Sequence, residues 1–114
     1  SDQRLKTNIR PIANALTDLA KIQGVRYETN DVAAQYGYTE GETNIGVLAQ
    51  DVAKVVPEAV KLAPFDRDEN GRSRSGENYL TVQYDKLVPL LIEAIKDLKA
   101  EVDTLRSRLD QLEK

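Results

Sequence analysis

The most regular apolar pattern lies in the last quarter of the chain. From Val88 onward, apolar residues recur at alternating spacings of three and four positions. The series is Val88, Leu91, Ile95, Leu98, Val102, Leu105, Leu109 and Leu112. This spacing is typical of a coiled-coil seam. Asp85 can cap the helix, and Pro89 falls where no backbone amide of a helix is paired. We therefore predict an amphipathic helix from Val88 to Leu112 that associates with copies of itself.

The charges beside this seam indicate how the helices pair. Opposite charges stand five positions apart at flanking positions, as in Glu101 with Arg106 and Arg108 with Glu113, which favours a parallel, in-register bundle. The seam alternates between two heptad positions, of which the first begins at Val88 and the second at Leu91. The first position is mostly β-branched and the second is Leu, a pattern that leans toward dimers. The sequence leaves dimer and trimer open. A core helix of a monomer is the alternative, but the rest of a 114-residue chain is too small to cover so long a seam.

The apolar face of this helix is wider at its start than at its end. Four further apolar residues widen it near the start: Leu87, Leu90, Ile92 and Ala94. After Lys96 only the seam remains. We expect the wide part to pack on the globular part of the chain as well as on a partner.

Shorter patterns earlier in the chain predict a small head. Ile12, Leu16, Leu19 and Ile22 recur at helical spacing between Pro11 and Gly24. A second short helix is expected over residues 49–56, where Pro57 ends it.

Four segments have strand composition: residues 25–27, 45–48, 60–62 and 79–84. The polar stretch 28–44 is expected to be a mobile loop or hairpin, and the stretch 66–78 a surface connection. We predict an α+β fold with a small antiparallel sheet, short helices and a long C-terminal coiled-coil helix. Residues 1–86 would form the head and residues 87–114 the helix.

Composition removes several classes of function. Lys and Arg total 16 and Asp and Glu total 19, with both signs interspersed, which argues against nucleic-acid binding. The chain has no Cys and no His, so it lacks the commonest metal ligands and the commonest general base. No apolar run reaches the roughly 18 residues that a membrane span requires. We expect no cofactor, no metal, no nucleic acid and no membrane among its partners.

One pair of side chains near the start still has the chemistry of a nucleophile and a base. With Cys and His absent, a Ser hydroxyl and a Lys amine are what remain, and Ser1 and Lys6 provide them. A lysine accepts a proton only if burial or a neighbouring cation lowers its pKa. On residue types alone, a solvated Ser and a solvated Lys are the ordinary interpretation.

Five motifs, in order along the chain, resemble one known family. They are Ser-Asp-x-Arg-Leu-Lys-x-Asn-Ile at the start, Pro11-Ile12 leading into a helix that ends in Gly24-Val25-x-Tyr27, Ile45-Gly46-Val47-Leu48-Ala49-Gln50-Asp51-Val52, Pro57-Glu58-Ala59-Val60, and Tyr84-x-x-Leu87-Val88-Pro89-Leu90-Leu91-x-x-Ala94-Ile95. Together they resemble the intramolecular chaperone auto-processing domain at the C-terminus of phage tailspikes, tail fibres and endosialidases, and in the myelin regulatory factor. The polar stretches 28–44 and 66–78 carry no motif of that family.

The resemblance implies a homotrimeric folding aid that is also a self-cleaving serine endopeptidase with a Ser-Lys dyad, acting once. Its folding client would be the upstream fibre or spike domain of the same polypeptide, in the host cytoplasm during virion assembly. It would then leave the mature fibre by cutting the bond before Ser1, with Lys6 as the base. The chain would be the released product, although a chain begun deliberately at this boundary would look identical. The identity of the client is left open.

The spacing of Ser1 and Lys6 sets a geometric condition on this mechanism. Five residues of extended chain separate two Cα atoms by roughly 16 Å, and a five-residue offset in a helix points about 140° away. Hydrogen-bond reach therefore requires a bend between the two residues, or a Lys6 donated by a neighbouring subunit.

Other polar residues of the first motif have two interpretations. Asp2, Arg4 and Asn8 either shape the scissile turn, or cap the first helix and form surface pairs, and we favour the second. Gln50, at a strand-to-helix junction, is expected to be a local backbone partner without a catalytic role.

A calcium-loop pattern occurs between the last two predicted strands. Asp66-x-Asp68-x-Asn70-Gly71, followed by Glu77, has the spacing of an EF-hand loop. Two arginines inside the loop and the absence of flanking helical patterns oppose that interpretation. We favour an ordinary polar turn.

Two other functions fit the same residues. One is a non-catalytic coiled-coil oligomerisation module in which Ser1 and Lys6 do nothing, so the full-length chain would stay intact. The other keeps the processing chemistry in a membrane-tethered transcription factor, but a short coiled coil without a membrane segment favours the viral setting.

Overall fold

The computed structural model describes residues 1–113 and has an α+β architecture, which confirms that part of the predicted fold class. Its helices are α1 (Ala15–Leu19), α2 (Asp31–Ala34), α3 (Ala49–Val55) and α4 (Val88–Glu113). Its strands are β1 (Gly24–Glu28), β2 (Thr43–Val47), β3 (Val60–Leu62) and β4 (Leu80–Val82). Short 3₁₀ turns occupy Gln3–Leu5, Pro57–Ala59, Pro64–Asp66 and Tyr84–Leu87. Lys114, the last residue of the predicted helical domain, lies outside the described residues.

The strands form two separate antiparallel pairs where one small sheet was expected. β1 pairs with β2, with Gly24 opposite Val47, and β3 pairs with β4, with Val60 opposite Val82. A two-stranded pair is marginally stable by itself. The β3–β4 pair is supported by α3, which contacts both of its strands.

The polar stretch between β1 and β2 is a structured hairpin connection. It contains α2, whose first turn is capped by Asn30, because the Asn30 side chain accepts a hydrogen bond from the amide of Ala33 at 2.9 Å. The amide of Thr29 donates to the carbonyl of Glu42 at 3.1 Å and closes the connection at its base.

The first predicted helix is shorter than its apolar spacing indicated. We expected it to run from Pro11 to the turn before Gly24, but α1 covers only Ala15–Leu19. Asn14 adopts a left-handed conformation with φ of 57°, which breaks the helix on its N-terminal side because that conformation cannot continue a right-handed helix. Four-residue turns follow α1, as the amide of Ile22 donates to the carbonyl of Leu19.

The small core lies between α1 and α4. Ala15, Leu90 and Ala94 are fully buried there, and the two alanines let the helix backbones approach closely. Partly buried residues surround this contact: Leu16, Leu19, Ile22 and Val56. Burial of Leu90 and Ala94 confirms that the wide part of the C-terminal helix packs on the head.

The helix α4 matches the length predicted from the seam. It spans 26 residues, about 39 Å at the ordinary rise, and Pro89 occupies its second position. Asp85 lies inside the preceding 3₁₀ turn, Tyr84–Leu87, so it does not sit at the predicted cap position. None of the helices among the described residues combines the length and apolarity needed to span a bilayer.

Candidate functional site

Ser1 and Lys6 flank a single helical turn in the N-terminal arm, which we define as residues 1–13. The amide of Leu5 bonds the carbonyl of Asp2, and the amide of Lys6 bonds the carbonyl of Gln3, both at 3.1 Å. A 3₁₀ turn advances about 2.0 Å per residue, against about 3.3 Å in extended chain. The turn therefore shortens the separation of the two residues along the chain. Both side chains are exposed in the single subunit.

Asp2 and Arg4 hold this turn in place. The Asp2 carboxylate caps the turn by accepting a hydrogen bond from the Arg4 amide at 2.9 Å. The Arg4 guanidinium donates to the same carboxylate at 2.8 Å. Hydrogen bonds from the Arg4 side chain and amide hold the pKa of Asp2 below its usual value. These contacts agree with the structural interpretation of Asp2 and Arg4.

The remainder of the arm is held by local contacts. Asn8 is left-handed, with φ of 54°, and its carbonyl accepts a hydrogen bond from the Arg10 guanidinium at 2.9 Å. Within the described residues, every hydrogen bond of the arm joins residues no more than three positions apart. All residues of the arm are exposed, including the large apolar side chains of Leu5 (86%) and Ile9 (66%).

The arm is anchored to the C-terminal helix through α1. The first turn of α1 receives a carboxylate from α4, because the Leu16 amide donates to Asp97 at 3.3 Å. A negative charge at a helix N-terminus is favourable. This contact, together with the burial of Ala15, fixes the root of the arm on α4.

An apolar groove runs along the β1–β2 hairpin beside the start of α4. Its volume is about 610 Å³, and its walls include Val25, Ile45, Val47 and Tyr84. The Tyr84 hydroxyl accepts a hydrogen bond from the Val47 amide at 3.1 Å and so ties the hairpin to the turn that precedes α4. Ile45 remains 73% exposed. From the sequence, Tyr84 was placed at the end of a predicted strand and in the last family motif, whereas it lies in the 3₁₀ turn after β4. Its bond to Val47 was missed, because a contact across 37 positions leaves no local pattern.

The predicted calcium loop is organised by a buried carboxylate. Asp66 is fully buried and accepts hydrogen bonds from the Ser73 hydroxyl at 2.6 Å, the Ser75 amide at 2.8 Å and the Tyr79 amide at 3.1 Å. Burial raises the pKa of Asp66, but these hydrogen bonds outweigh burial and lower it to about 2. The role of Asp66 as an anchor for its own loop was missed at the sequence level.

Three carboxylate oxygens that calcium would need already accept hydrogen bonds within this loop. One oxygen of Asp68 accepts from the amides of Asn70 and Arg72, both at 2.8 Å, and Glu77 is exposed. Residues 1–113 contain no group of three acidic side chains placed to hold a metal ion. The polar-turn interpretation fits this arrangement, and the calcium interpretation gains no support.

Aromatic side chains join this loop to the hairpin connection. Tyr36 stacks on Phe65 with ring centroids 4.6 Å apart, and Tyr79 meets Tyr36 edge-on at 5.5 Å. Tyr38 contacts Phe65 from the side, at 5.9 Å. The stretch that seemed mobile from its composition is thus packed against the head through its two tyrosines. Gln50 is exposed on α3.

The chain matches known proteins over almost its whole length. Long tail fiber protein Gp37 of Enterobacteria phage K3 is 39% identical over 109 residues, which are 96% of this chain and 8% of that protein. The protein of the same name from Enterobacteria phage T2 is 39% identical over 109 residues, with 7% of its length covered. That from Enterobacteria phage M1 is 29% identical over 110 residues, with 39% of its length covered. The chain therefore spans less than half of each of these relatives.

A family model also matches the chain. It is a peptidase family described as the chaperone of endosialidase, and the match covers residues 1–61, from the N-terminal arm to β3. This match confirms the resemblance drawn from the sequence motifs. The chain belongs to the chaperone of endosialidase family.

Proposed function

We propose that this chain is the self-releasing chaperone of a phage tail fibre. In this proposal, three copies associate through α4, help the upstream fibre segment of the same polypeptide to fold, and are released by cleavage of the peptide bond before Ser1. The observation that carries the proposal is the family match over the segment that contains both Ser1 and Lys6. Release would occur in the host cytoplasm during virion assembly, and the tail fibre relatives support that setting.

The surface of α4 supports association. Every seam residue of α4 is exposed in the single subunit, and even the least exposed, Val102, shows 37% of its surface. Leucine and valine side chains in water favour a partner that covers them. Glu101 and Arg106 form no ion pair within residues 1–113, where the ion pairs of α4 are Lys96 with Glu93 and Lys99 with Asp103. Both flanking charges are therefore free to meet a neighbouring helix.

The size of the exposed surface also supports association. The subunit exposes 9173 Å², whereas a compact monomer of its mass, 12.7 kDa, would expose about 6,200 Å². Its radius of gyration is 19.4 Å, against about 13 Å for a compact domain of this length. We propose a trimer because the family resemblance implies one, although the β-branched seam positions lean toward two strands.

The chemistry proposed for release is an acyl transfer followed by hydrolysis. The Ser1 hydroxyl oxygen attacks the carbonyl carbon of the preceding residue, and the Lys6 amine accepts the hydroxyl proton. The bond from that carbon to the Ser1 nitrogen breaks, and the leaving amine takes the proton from Lys6. Water then hydrolyses the ester on Ser1, giving an upstream carboxylate and restoring the hydroxyl. The bend at Gln3–Leu5 supports this pairing because it shortens the path between the two side chains.

Cleavage of a precursor tests the dyad. The chain, preceded by its natural upstream segment, should convert to a product that begins at Ser1, as read by gel and N-terminal sequencing. Ser1→Ala and Lys6→Ala should slow cleavage by at least about 100-fold. Lys6→Arg should be equally inactive, because arginine keeps the charge but cannot accept a proton.

The matched control for this experiment is Thr7→Ala, which removes a neighbouring exposed hydroxyl and should cut at the normal rate. Normal cleavage by both Ser1→Ala and Lys6→Ala would refute the dyad. Equilibrium sedimentation of the 114-residue chain should give three times its mass, and a dimer mass would reverse the choice of a trimer.

The second candidate is a non-catalytic oligomerisation module. The observation in its favour is that Lys6 is exposed in the single subunit, whereas a lysine base needs burial or a neighbouring cation. A wild-type precursor that assembles into trimers and stays uncut would establish this alternative.

A further inference from the structure

The N-terminal arm carries apolar side chains that its own subunit leaves uncovered. Leu5, Ile9 and Ile12 are all exposed, and the arm forms only local hydrogen bonds within the described residues. Fixing the backbone of a segment that has no long-range contacts costs conformational entropy, and the burial of so few side chains offsets little of that cost. A surface outside the subunit that covers these side chains would therefore stabilise the arm.

A second uncovered apolar surface lies on the same chain. The groove along the β1–β2 hairpin is open, and Ile45, which lines it, exposes its side chain. The groove is lined mainly by apolar groups, so an apolar strand is the kind of occupant that suits it.

The charges of the two surfaces are complementary. The arm contains Arg4, Lys6 and Arg10 against a single acid, Asp2, which is already paired with Arg4. The segment 28–42, which we call the acidic connection, contains four acids and no base: Glu28, Asp31, Glu40 and Glu42. Within residues 1–113, no ion pair involves Lys6, Arg10 or any of these four carboxylates. Unpaired charges of opposite sign steer two surfaces together and fix their orientation.

We propose that the N-terminal arm of one copy docks along the β1–β2 hairpin of a second copy, with Arg10 toward the acidic connection of that copy and Lys6 over the apolar groove. The inference rests on the proposed function, because it assigns the neighbouring subunit a part in the Ser1–Lys6 site. Docking would cover the turn at Gln3–Leu5 and exclude water around the Lys6 amine, which is the condition under which a lysine serves as a base.

The placement of the two surfaces on α4 suits a closed ring. The arm is rooted at the level of Leu90 to Asp97 through α1, and the groove lies beside Tyr84, at the start of the same helix. In a parallel bundle, the root of the arm on one copy and the groove on the next copy differ in height by about 14 Å along the axis. The 13 residues of the arm easily span that distance. An arm that binds a different surface on the next copy forms a heterologous contact, and such contacts close into a ring when the rotation is threefold.

Cross-linking between differently labelled copies tests the docking. The chain contains no cysteine, so single cysteines can be placed at will. Copies with Thr7→Cys only are assembled with copies with Thr43→Cys only and treated with a short bis-maleimide. A covalent dimer is expected. Ser107→Cys, on the outer face of α4, is the control in place of Thr7→Cys and should give no product with Thr43→Cys.

Charge reversal tests the orientation. Arg10→Glu and Glu42→Arg should each lower the cross-linking yield and the rate of precursor cleavage about fivefold. Both reversals together should restore much of the loss. Neither residue belongs to the proposed dyad, so their effect on cleavage would act through docking.

The outcomes separate the two proposals. Trimers that sediment normally but give no covalent dimer would overturn docking on a second copy and leave the dyad untouched. The same conclusion would follow if a chain carrying both Thr7→Cys and Thr43→Cys cross-linked only within itself. Persistent cleavage by Ser1→Ala would overturn the dyad, and the covalent dimer would still stand by itself.

Discussion

A close contact between Gly46 and Tyr84 provides the sharpest test of the fold. A Cβ atom added at Gly46 would lie 2.5 Å from the Tyr84 hydroxyl oxygen, and its next neighbours are Tyr27 Cε1 at 3.6 Å and Tyr84 Cζ at 3.7 Å. Only the hydroxyl oxygen is too close, because separations above 3.4 Å are ordinary contacts. The same oxygen accepts the hydrogen bond from Val47.

Gly46→Ala should therefore destabilise the subunit by about 1–3 kcal/mol. Overpacking costs about 1–3 kcal/mol, and displacement of the ring loses a hydrogen bond of about 1 kcal/mol. The lower entropy of alanine in the unfolded chain returns about 0.4–1 kcal/mol. Tyr84→Phe alone removes the hydrogen bond and should cost about 1 kcal/mol. In the double variant the clashing atom is gone, so it should cost no more than Tyr84→Phe.

Urea denaturation of the wild type, the two single variants and the double variant, all at the same protein concentration, measures this coupling. Gly24→Ala is the matched control, because an added Cβ at Gly24 in the neighbouring strand meets no atom within 4 Å. That variant should be neutral or slightly stabilised. Additive losses in the double variant would refute the claim that the hydroxyl oxygen is the obstacle.

Three further predictions concern other parts of the chain. The folded-state pKa of Asp66, about 2, lies below its ordinary 3.8. The ionised carboxylate therefore stabilises the fold above about pH 4, and this stabilisation is lost as the pH falls toward 2. The urea midpoint of the wild-type protein should drop more over that range than the midpoint of Asp66→Asn. Leu105→Glu places a charge in the seam and should convert the proposed trimers to monomers in sedimentation, whereas Ser107→Glu on the outer face should not. Calorimetric titration with about 1 mM calcium should give no binding heat, because loop amides already occupy the Asp68 oxygen.

The features that sequence analysis predicted well are those with a local pattern. The helix α4 was predicted over Val88 to Leu112 because its spacing repeats for more than three heptads, and α3 because Pro57 sets its end. β1 was found from a brief alternating run and β2 from a short continuous apolar run. In each case, neighbouring residues carry the whole signal.

The features that escaped prediction depend on contacts between distant residues or on a single backbone angle. The break before α1 comes from the left-handed Asn14, a conformation that an apolar spacing does not report. The Asp66 loop has the spacing of a calcium site, yet the Asp66 carboxylate accepts hydrogen bonds from serine hydroxyls and backbone amides instead of binding an ion. For the candidate site, the sequence supplied Ser1 and Lys6 and the expectation that both are solvated, but the 3₁₀ turn between them came only from the structure.

The two faces of α4 give a physical reason for cleavage to wait for assembly under the proposed function. One face holds Leu90 and Ala94 against α1 and so carries the root of the arm, while the neighbouring face with the seam is open to other copies. Because α4 is rigid and carries both the arm and the β1–β2 hairpin, the proposed docking brings the arm of one copy to the hairpin of the next only after the seams have associated. In an isolated subunit, Lys6 stays in water and the arm has no long-range contact. A monomeric seam variant such as Leu105→Glu should therefore leave the precursor uncut even though Ser1 and Lys6 are intact. Cleavage by that monomer would show instead that the arm is ordered within its own subunit.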